Sequence, residues 1–187
     1  MPKITESALH QAALAHLARF ASTEAGLRRV LGNRIRRWAR EAEEAGQDTE
    51  AVAAETAEAM ARAAAIAARL AQAGAVDDAG FARARARRLM GGGRSARATL
   101  AHLAAKGVDG ETARAAMDQE DVPDELTAAV VLCRKRRIGP FGPPEPEAET
   151  RRKWLGTLAR AGFAGDVAHR ALRLPREAAE ELLAARP

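Results

Sequence analysis

The pattern Leu100-x-x-Leu103-x-x-x-Gly107-Val108 returns 55 residues later as Leu155-x-x-Leu158-x-x-x-Gly162-Phe163. At the same offset Arg97 falls on Arg152, Thr112 on Val167, Arg114 on His169 and Met117 on Leu172. Self-similarity at a fixed period marks a chain assembled from stacked supersecondary units, none of which buries its apolar face alone. Each copy reads as a helix with Leu at i and i+3, a glycine just past its end, and a short helix that starts after a polar residue. Gly107 and Gly162 suit the C′ position, where a left-handed backbone is needed and glycine has no Cβ to oppose it. Asp109 is placed to cap the next helix by accepting from its free N–H groups.

A further helix precedes each pair. The central one is expected over about Asp78–Met90, with Phe81, Ala82, Ala86 and Leu89 as its apolar stripe. The last is expected over about Asp124–Arg137, with Leu126, Val130, Val131 and Cys133 apolar. Both open on an acid, which suits the positive end of a helix dipole. The last copy is longer, and the addition falls on Gly139-Pro140-Phe141-Gly142-Pro143-Pro144-Glu145-Pro146, which reads as a stiff, extended linker.

The N-terminal third is a stretched version of the same unit. One helix is expected over Ser7–Phe20, with Leu9, Ala13, Leu14 and Leu17 apolar. Ser22 or Thr23 caps a long second helix whose seam is Leu27, Leu31, Ile35, Trp38 and Ala42. After Gly46-Gln47-Asp48 a third helix runs from about Glu50 to Ala73 and ends at Gly74. No segment shows the alternating pattern of a strand. The expected fold is all-α, nine or ten helices in tandem three-helix repeats with an elongated, curved arrangement. Residues 1–74 form an expanded first repeat, 75–120 the second, and 121–187 the third with a C-terminal helix.

Composition fits thin apolar seams: 48 of the 187 residues are alanine, the strongest helix former. A single cysteine leaves no disulfide framework and no Cys-rich zinc site, which points to a reducing cytoplasm. The opening Met1-Pro2-Lys3-Ile4-Thr5-Glu6 lacks the apolar run of a secretory leader. No apolar run is longer than Ala63–Ala68, far short of the ~20 residues that cross a bilayer. A cytoplasmic monomer with no membrane partner is expected.

Convergent chemistry is hard to find. His10, His16, His102 and His169 are scattered, and neither a Gly-Lys-Ser/Thr loop nor a Gly-x-Ser-x-Gly elbow occurs. Cys133 precedes Arg134–Arg137, which would acidify an exposed thiol, but a buried apolar role on a helix is the preferred reading. Gly91-Gly92-Gly93-Arg94 reads as a turn between helices rather than a phosphate cradle. Asp77 and Asp78 read as N-caps rather than metal ligands. No enzymatic activity, cofactor or metal is expected.

Charge is the stronger signal. It comes in blocks: +6 over residues 1–40, −7 over 41–60, +7 over 62–106, −6 over 107–125 and +5 over 126–187. Arg28, Arg29, Arg36, Arg37 and Arg40 lie off the seam of the long helix. Arg83, Arg87, Arg88, Arg94 and Arg97 crowd the second repeat, and Arg134–Arg137 and Arg151-Arg152-Lys153 the third. A positive stripe across successive units points to phosphate, against the plainer alternative of a solvated polar face. Trp38, Phe81, Trp154 and Phe163 are assigned to the core, which leaves no stacking platform for single strands. No base-reading pattern stands out. Sequence-independent contact with the phosphates of a duplex or nucleoprotein remains.

Residues 70–118 also resemble a known family. Leu70, Gly74, Asp77-Asp78, Phe81-Ala82, Arg83 onward through Ser95, Leu100-x-x-Leu103-x-x-Lys106-Gly107-Val108 and Ala116-Met117 are similar to the RecX family of recombination regulators. Leu155 to Leu172, and Ala13-Leu14 through Ser22, Leu27 and Leu31, fit more loosely. The resemblance implies a non-enzymatic protein of tandem three-helix repeats that binds in the groove of the RecA–DNA filament and restrains strand exchange and ATPase. The chain departs from the family pattern at Gly26, where Glu is usual, in the expanded acidic 34–60 region, and at Ala84 and Arg85, where an aromatic is common. On this reading Arg83, Arg87, Arg88, Arg94, Arg97 and Lys106 form one half of a concave basic surface. Arg134, Lys135, Arg136, Arg137 and Arg152 form the other. The alternative is a general architectural or transcriptional DNA-binding protein.

Overall fold

The computed structural model describes residues 4–185. Met1–Lys3, part of the argument against a leader, and Arg186–Pro187, at the end of the third repeat, lie outside the described residues. Among the described residues there are ten α-helices and no strand. They are α1 (Glu6–Leu17), α2 (Glu24–Glu44), α3 (Thr49–Gln72), α4 (Asp78–Gly91), α5 (Ala96–Ala105), α6 (Gly110–Met117), α7 (Glu125–Arg136), α8 (Ala148–Ala161), α9 (Gly165–Arg173) and α10 (Arg176–Ala184). The chain divides into two compact units, Met1–Phe81 with Lys106–Val108, and Ala82–Ala105 with Asp109–Pro187.

In the first unit the seam expected on α2 is the core: Leu27, Leu31 and Ile35 are fully buried against Ala59, Ala63, Ile66 and Ala67 of α3, and Ala42 further along α2 is buried too. Alanines along α3 let the two helices lie close together. On α1, Leu9 and Ala13 lie one turn apart and are buried. Leu14, expected in that stripe, points away from their line and is 45% exposed. The helix also ends at Leu17 rather than Phe20. The N–H of Arg19 and that of Phe20 both turn back to the His16 carbonyl, at 3.1 and 3.0 Å, and Phe20 emerges 57% exposed.

In the second unit α7 is the central element. Ala128, Ala129, Val130, Val131 and Cys133 are buried together with Leu158 of α8, Ala168 and Ala171 of α9, and Ala179 and Leu183 of α10. A helix apolar on nearly every side belongs inside. Cys133 is thus a core residue, and burial pushes its thiol up to about 12. The thiolate is the reactive form. Iodoacetamide at neutral pH is therefore expected to leave Cys133 unlabelled in the native protein and to label it fully in denaturant. Labelling at the same rate in both states, read by mass spectrometry, would contradict this burial.

The triple glycine is the expected turn, and Gly93 is its decisive member. Its φ is +83°, and a Cβ there would stand 3.0 Å from the Leu132 backbone nitrogen and 3.3 Å from the Ala128 carbonyl oxygen. Three expectations are corrected. Arg137, taken as the last helical residue, adopts a left-handed conformation with φ 55° and caps α7. Its chain must turn so that the Ile138 N–H reaches the Cys133 carbonyl at 3.0 Å. Residues 139–146 are not simply an extended linker: Gly139–Phe141 form a 3-10 turn, and Phe141 packs against the core of this unit. Finally, α9 starts after Ala164 with no side-chain cap, unlike α6, where Asp109 accepts from the N–H groups of Glu111 and Thr112.

The repeats are joined by one device, built twice. The Thr23 hydroxyl caps α2, accepting from the Gly26 N–H at 2.9 Å, and donates to the Lys106 carbonyl at 2.6 Å. The Ser95 hydroxyl stands at the same place on α5, accepting from the Ala98 N–H at 3.3 Å and donating to the Ala161 carbonyl at 2.8 Å. The next N–H in each case finds a carboxylate on the residue that opens the first helix of the following repeat. Glu24 N–H donates to Asp78 at 2.9 Å, and Ala96 N–H to Glu125 at 2.7 Å. Asp77 is an N-cap as expected, accepting from the Gly80 N–H at 2.8 Å, but Asp78 serves the start of α2 and not its own helix. The joint closes on Gly107 and Gly162, with φ of +84° and +95°. A side chain on Gly107 would collide with the Ala25 methyl, and one on Gly162 would stand 2.6 Å from the Ser95 hydroxyl.

Candidate nucleic-acid interface

The basic residues singled out in the sequence fall into distinct settings. Arg83 and Arg87, one turn apart on α4, share one carboxylate: Arg83 Nε lies 2.9 Å and Arg87 Nη1 3.4 Å from Asp121. Asp121 sits between α6 and α7, where nothing in the spacing of the chain announces it as their partner. One of these two positive charges is therefore already balanced.

The hydrogen bond from Arg83, helped by the charges of Arg83 and Arg87, outweighs a small desolvation and holds the Asp121 carboxyl below its ordinary value of 3.8. A depressed carboxylate contributes stability that is present above its unfolded value and is lost as pH falls through the folded one. Acid titration below 3.8 is expected to lower the melting temperature less in Asp121→Asn than in the parent. Parallel curves in a calorimetric pH series would remove Asp121 from the acid response.

Around the glycine turn the arrangement differs. Lys135 Nζ donates to the Gly92 carbonyl at 2.7 Å, which fastens the C-terminal end of α7 to the turn that carries Arg94. Arg134, Arg136 and Arg137 flank Lys135 at that end of α7, all exposed. Among the described residues, Arg88, Arg94, Arg134, Arg136 and Arg137 have no carboxylate partner. A cationic end of this kind also suits the negative pole of α7.

The remaining candidates do not join that cluster through any contact. Arg97, in the first turn of α5, lies against Gly162 at the joint. Arg152 is exposed on α8. Lys106 belongs to the first unit, where its carbonyl receives the Thr23 hydroxyl. In that unit Arg28, Arg29 and Arg36 line a shallow cavity of about 410 Å³ over Met60. Among the described residues no three His, Cys, Asp or Glu side chains gather as metal ligands, and no helix is long and apolar enough to cross a membrane.

Residues 77–117, the span of α4 to α6, match the family model described as RecX, second three-helix domain. The chain is 35% identical to Regulatory protein RecX of Myxococcus xanthus over 172 residues, which is 91% of this chain and 87% of that relative. It belongs to the RecX family. Regulatory protein RecX of Agrobacterium fabrum is 34% identical over 113 residues, 60% of each chain. That of Thermobifida fusca is 39% identical over 112 residues, 59% of each. The all-helical fold accords with the three-helix domain of the RecX model. The matched span holds Arg83, Arg87, Arg88, Arg94, Arg97 and Lys106, whereas the cations of α7 and α8 lie beyond it.

Proposed function

We propose that this RecX-family chain binds the RecA–DNA filament and modulates, mainly inhibits, the recombinase, acting as a cytoplasmic monomer without a cofactor. Its cations rest on DNA phosphates without reading sequence, and on acidic surface of the recombinase. The observation that carries this reading is the Lys135–Gly92 tie, which fastens the α7 end bearing Arg134, Arg136 and Arg137 to the turn bearing Arg94, none of the four having a carboxylate partner among the described residues. A desolvated or paired arginine is spent within the fold, whereas a solvated, unpaired group of four attracts a polyanion. Family membership directs that attraction toward a recombinase filament rather than toward DNA in general.

Titration of the purified protein on duplex DNA, with and without recombinase, tests it. The filament is expected to bind more tightly than naked duplex and to disassemble faster as protein is added, with both effects falling steeply as salt rises. Equal affinity for naked duplex and filament would assign a general basic DNA-binding role instead. Filament lifetime unaffected at saturating protein would remove the inhibitory role.

A further inference from the structure

The third repeat differs from the second by the Gly139–Pro146 addition, and the joint between repeats is made without it. What the addition builds is an open groove of about 860 Å³ against α8 and α9 in the second unit. Trp154, Leu155 and Leu172 supply its apolar floor. Pro140, Pro143, Pro144 and Pro146 line one wall. Proline has no N–H to donate, so this wall offers little to an added strand. The wall is held in register because Gly142 and Gly139 lack side chains. A Cβ on Gly142 would stand 2.8 Å from the Trp154 ring, and one on Gly139 2.9 Å from Leu172.

The rim carries arginines: Arg151, Arg173 and Arg176 line the groove together with His169, and among the described residues no acidic side chain lines it. Arg176 is engaged within the fold, by Glu180 at 2.9 Å and over the Phe141 ring at 5.8 Å. Arg151 and Arg173 are exposed and have no carboxylate partner among the described residues. Tryptophan and arginine around an apolar hollow are the side chains that dominate protein interfaces. A volume near 860 Å³ accepts one large side chain with its neighbours. The indole is not an open platform for a base, because Gly142 packs on it.

We propose that this groove takes an acidic peptide segment of a partner protein, seating a bulky apolar side chain on Trp154, Leu155 and Leu172 and placing the flanking carboxylates on Arg151 and Arg173. The proposal stands on the groove's own chemistry and not on the phosphate-contact reading. Charge reversal at Arg94 and the α7 end leaves it untouched.

The test uses the full chain and a fluorescein-labelled peptide, acetyl-Glu-Asp-Phe-Glu-Asp-amide, followed by anisotropy. Saturable binding is expected, weakened at least about tenfold when the central Phe is replaced by Ala or when the four acids are replaced by their amides. The double variant Arg151→Glu with Arg173→Glu, both exposed and remote from the core, is expected to lose binding with an unchanged melting curve. Trp154→Ala is a second variant, expected to abolish the preference for Phe over Ala at the centre of the peptide. No saturable binding, or equal binding by the double variant, would overturn the proposal. So would a duplex or single-stranded oligonucleotide that displaces the peptide and loses its own affinity in the same double variant, since the groove would then be a nucleic-acid site.

Discussion

Charge reversal at Arg94, Arg134 and Arg136 together is expected to lower affinity for duplex DNA and for the filament by about two orders of magnitude or more at low salt. The slope of log K against log salt is expected to flatten by roughly three, because each lost phosphate contact retains close to one counterion. The reason for choosing these three is the Lys135–Gly92 tie. They lie on the turn and on the helix end that it joins, they are exposed, and none has a carboxylate partner among the described residues. Reversal at Arg83 and Arg87 is expected to cost less binding, since Asp121 already balances one of that pair. Fluorescence anisotropy at three or more salt concentrations checks both statements. An unchanged slope for the triple variant, or a larger loss from the Arg83 and Arg87 pair, would place the phosphate contacts elsewhere.

Gly162→Ala is expected to destabilise the protein by about 2–4 kcal/mol, as a left-handed site and a steric clash act together. The glycine has φ +95°, and the new methyl would press on the Ser95 hydroxyl at 2.6 Å and on Arg97 Nε at 3.3 Å. Relief of that clash moves Ser95, which both caps α5 and bonds to Ala161. Gly165→Ala is the matched control, since that glycine opens α9 with nothing within 4 Å of a built Cβ. There the change is expected to be within about 0.5 kcal/mol of zero or slightly stabilising. Urea unfolding of both variants measures the difference, and equal midpoints would contradict the account of the joint.

The 55-residue period exposes Gly107 and Gly162 as helix ends, and hydroxyl and carboxylate spacing points to Ser22 or Thr23 and to Asp109 as caps, of which Thr23 and Asp109 serve. Those features are local: a cap is written within four residues of the helix that it serves. The joint was not legible in the same way. Asp78 answers an N–H 54 residues away and Glu125 one 29 residues away. Periodicity names equivalent positions without naming partners. The prolines of 140–146 exclude a continuous α-helix but carry no sign of what the segment lies against. The basic stripe was visible as composition, yet only the fold separates Arg83 and Arg87, held by Asp121, from Arg94 and the end of α7. Leu14 shows the complementary limit, since an apolar residue inside α1 lies off the buried line of Leu9 and Ala13 and faces solvent.

The shared helix ends also bear on how this molecule comes apart. The start of α2 is completed by Asp78 and Lys106, and the start of α5 by Glu125 and Ala161, so the α4–α6 segment and the segment from α7 onward each lend atoms to the one before. Dissection at the seemingly natural border near residue 75 therefore strands a hydroxyl and an amide that the severed portion had been satisfying. Nearest-neighbour cooperativity of this sort makes the junctions, more than the modules, the units that evolution or an engineer must preserve when adding or deleting a copy.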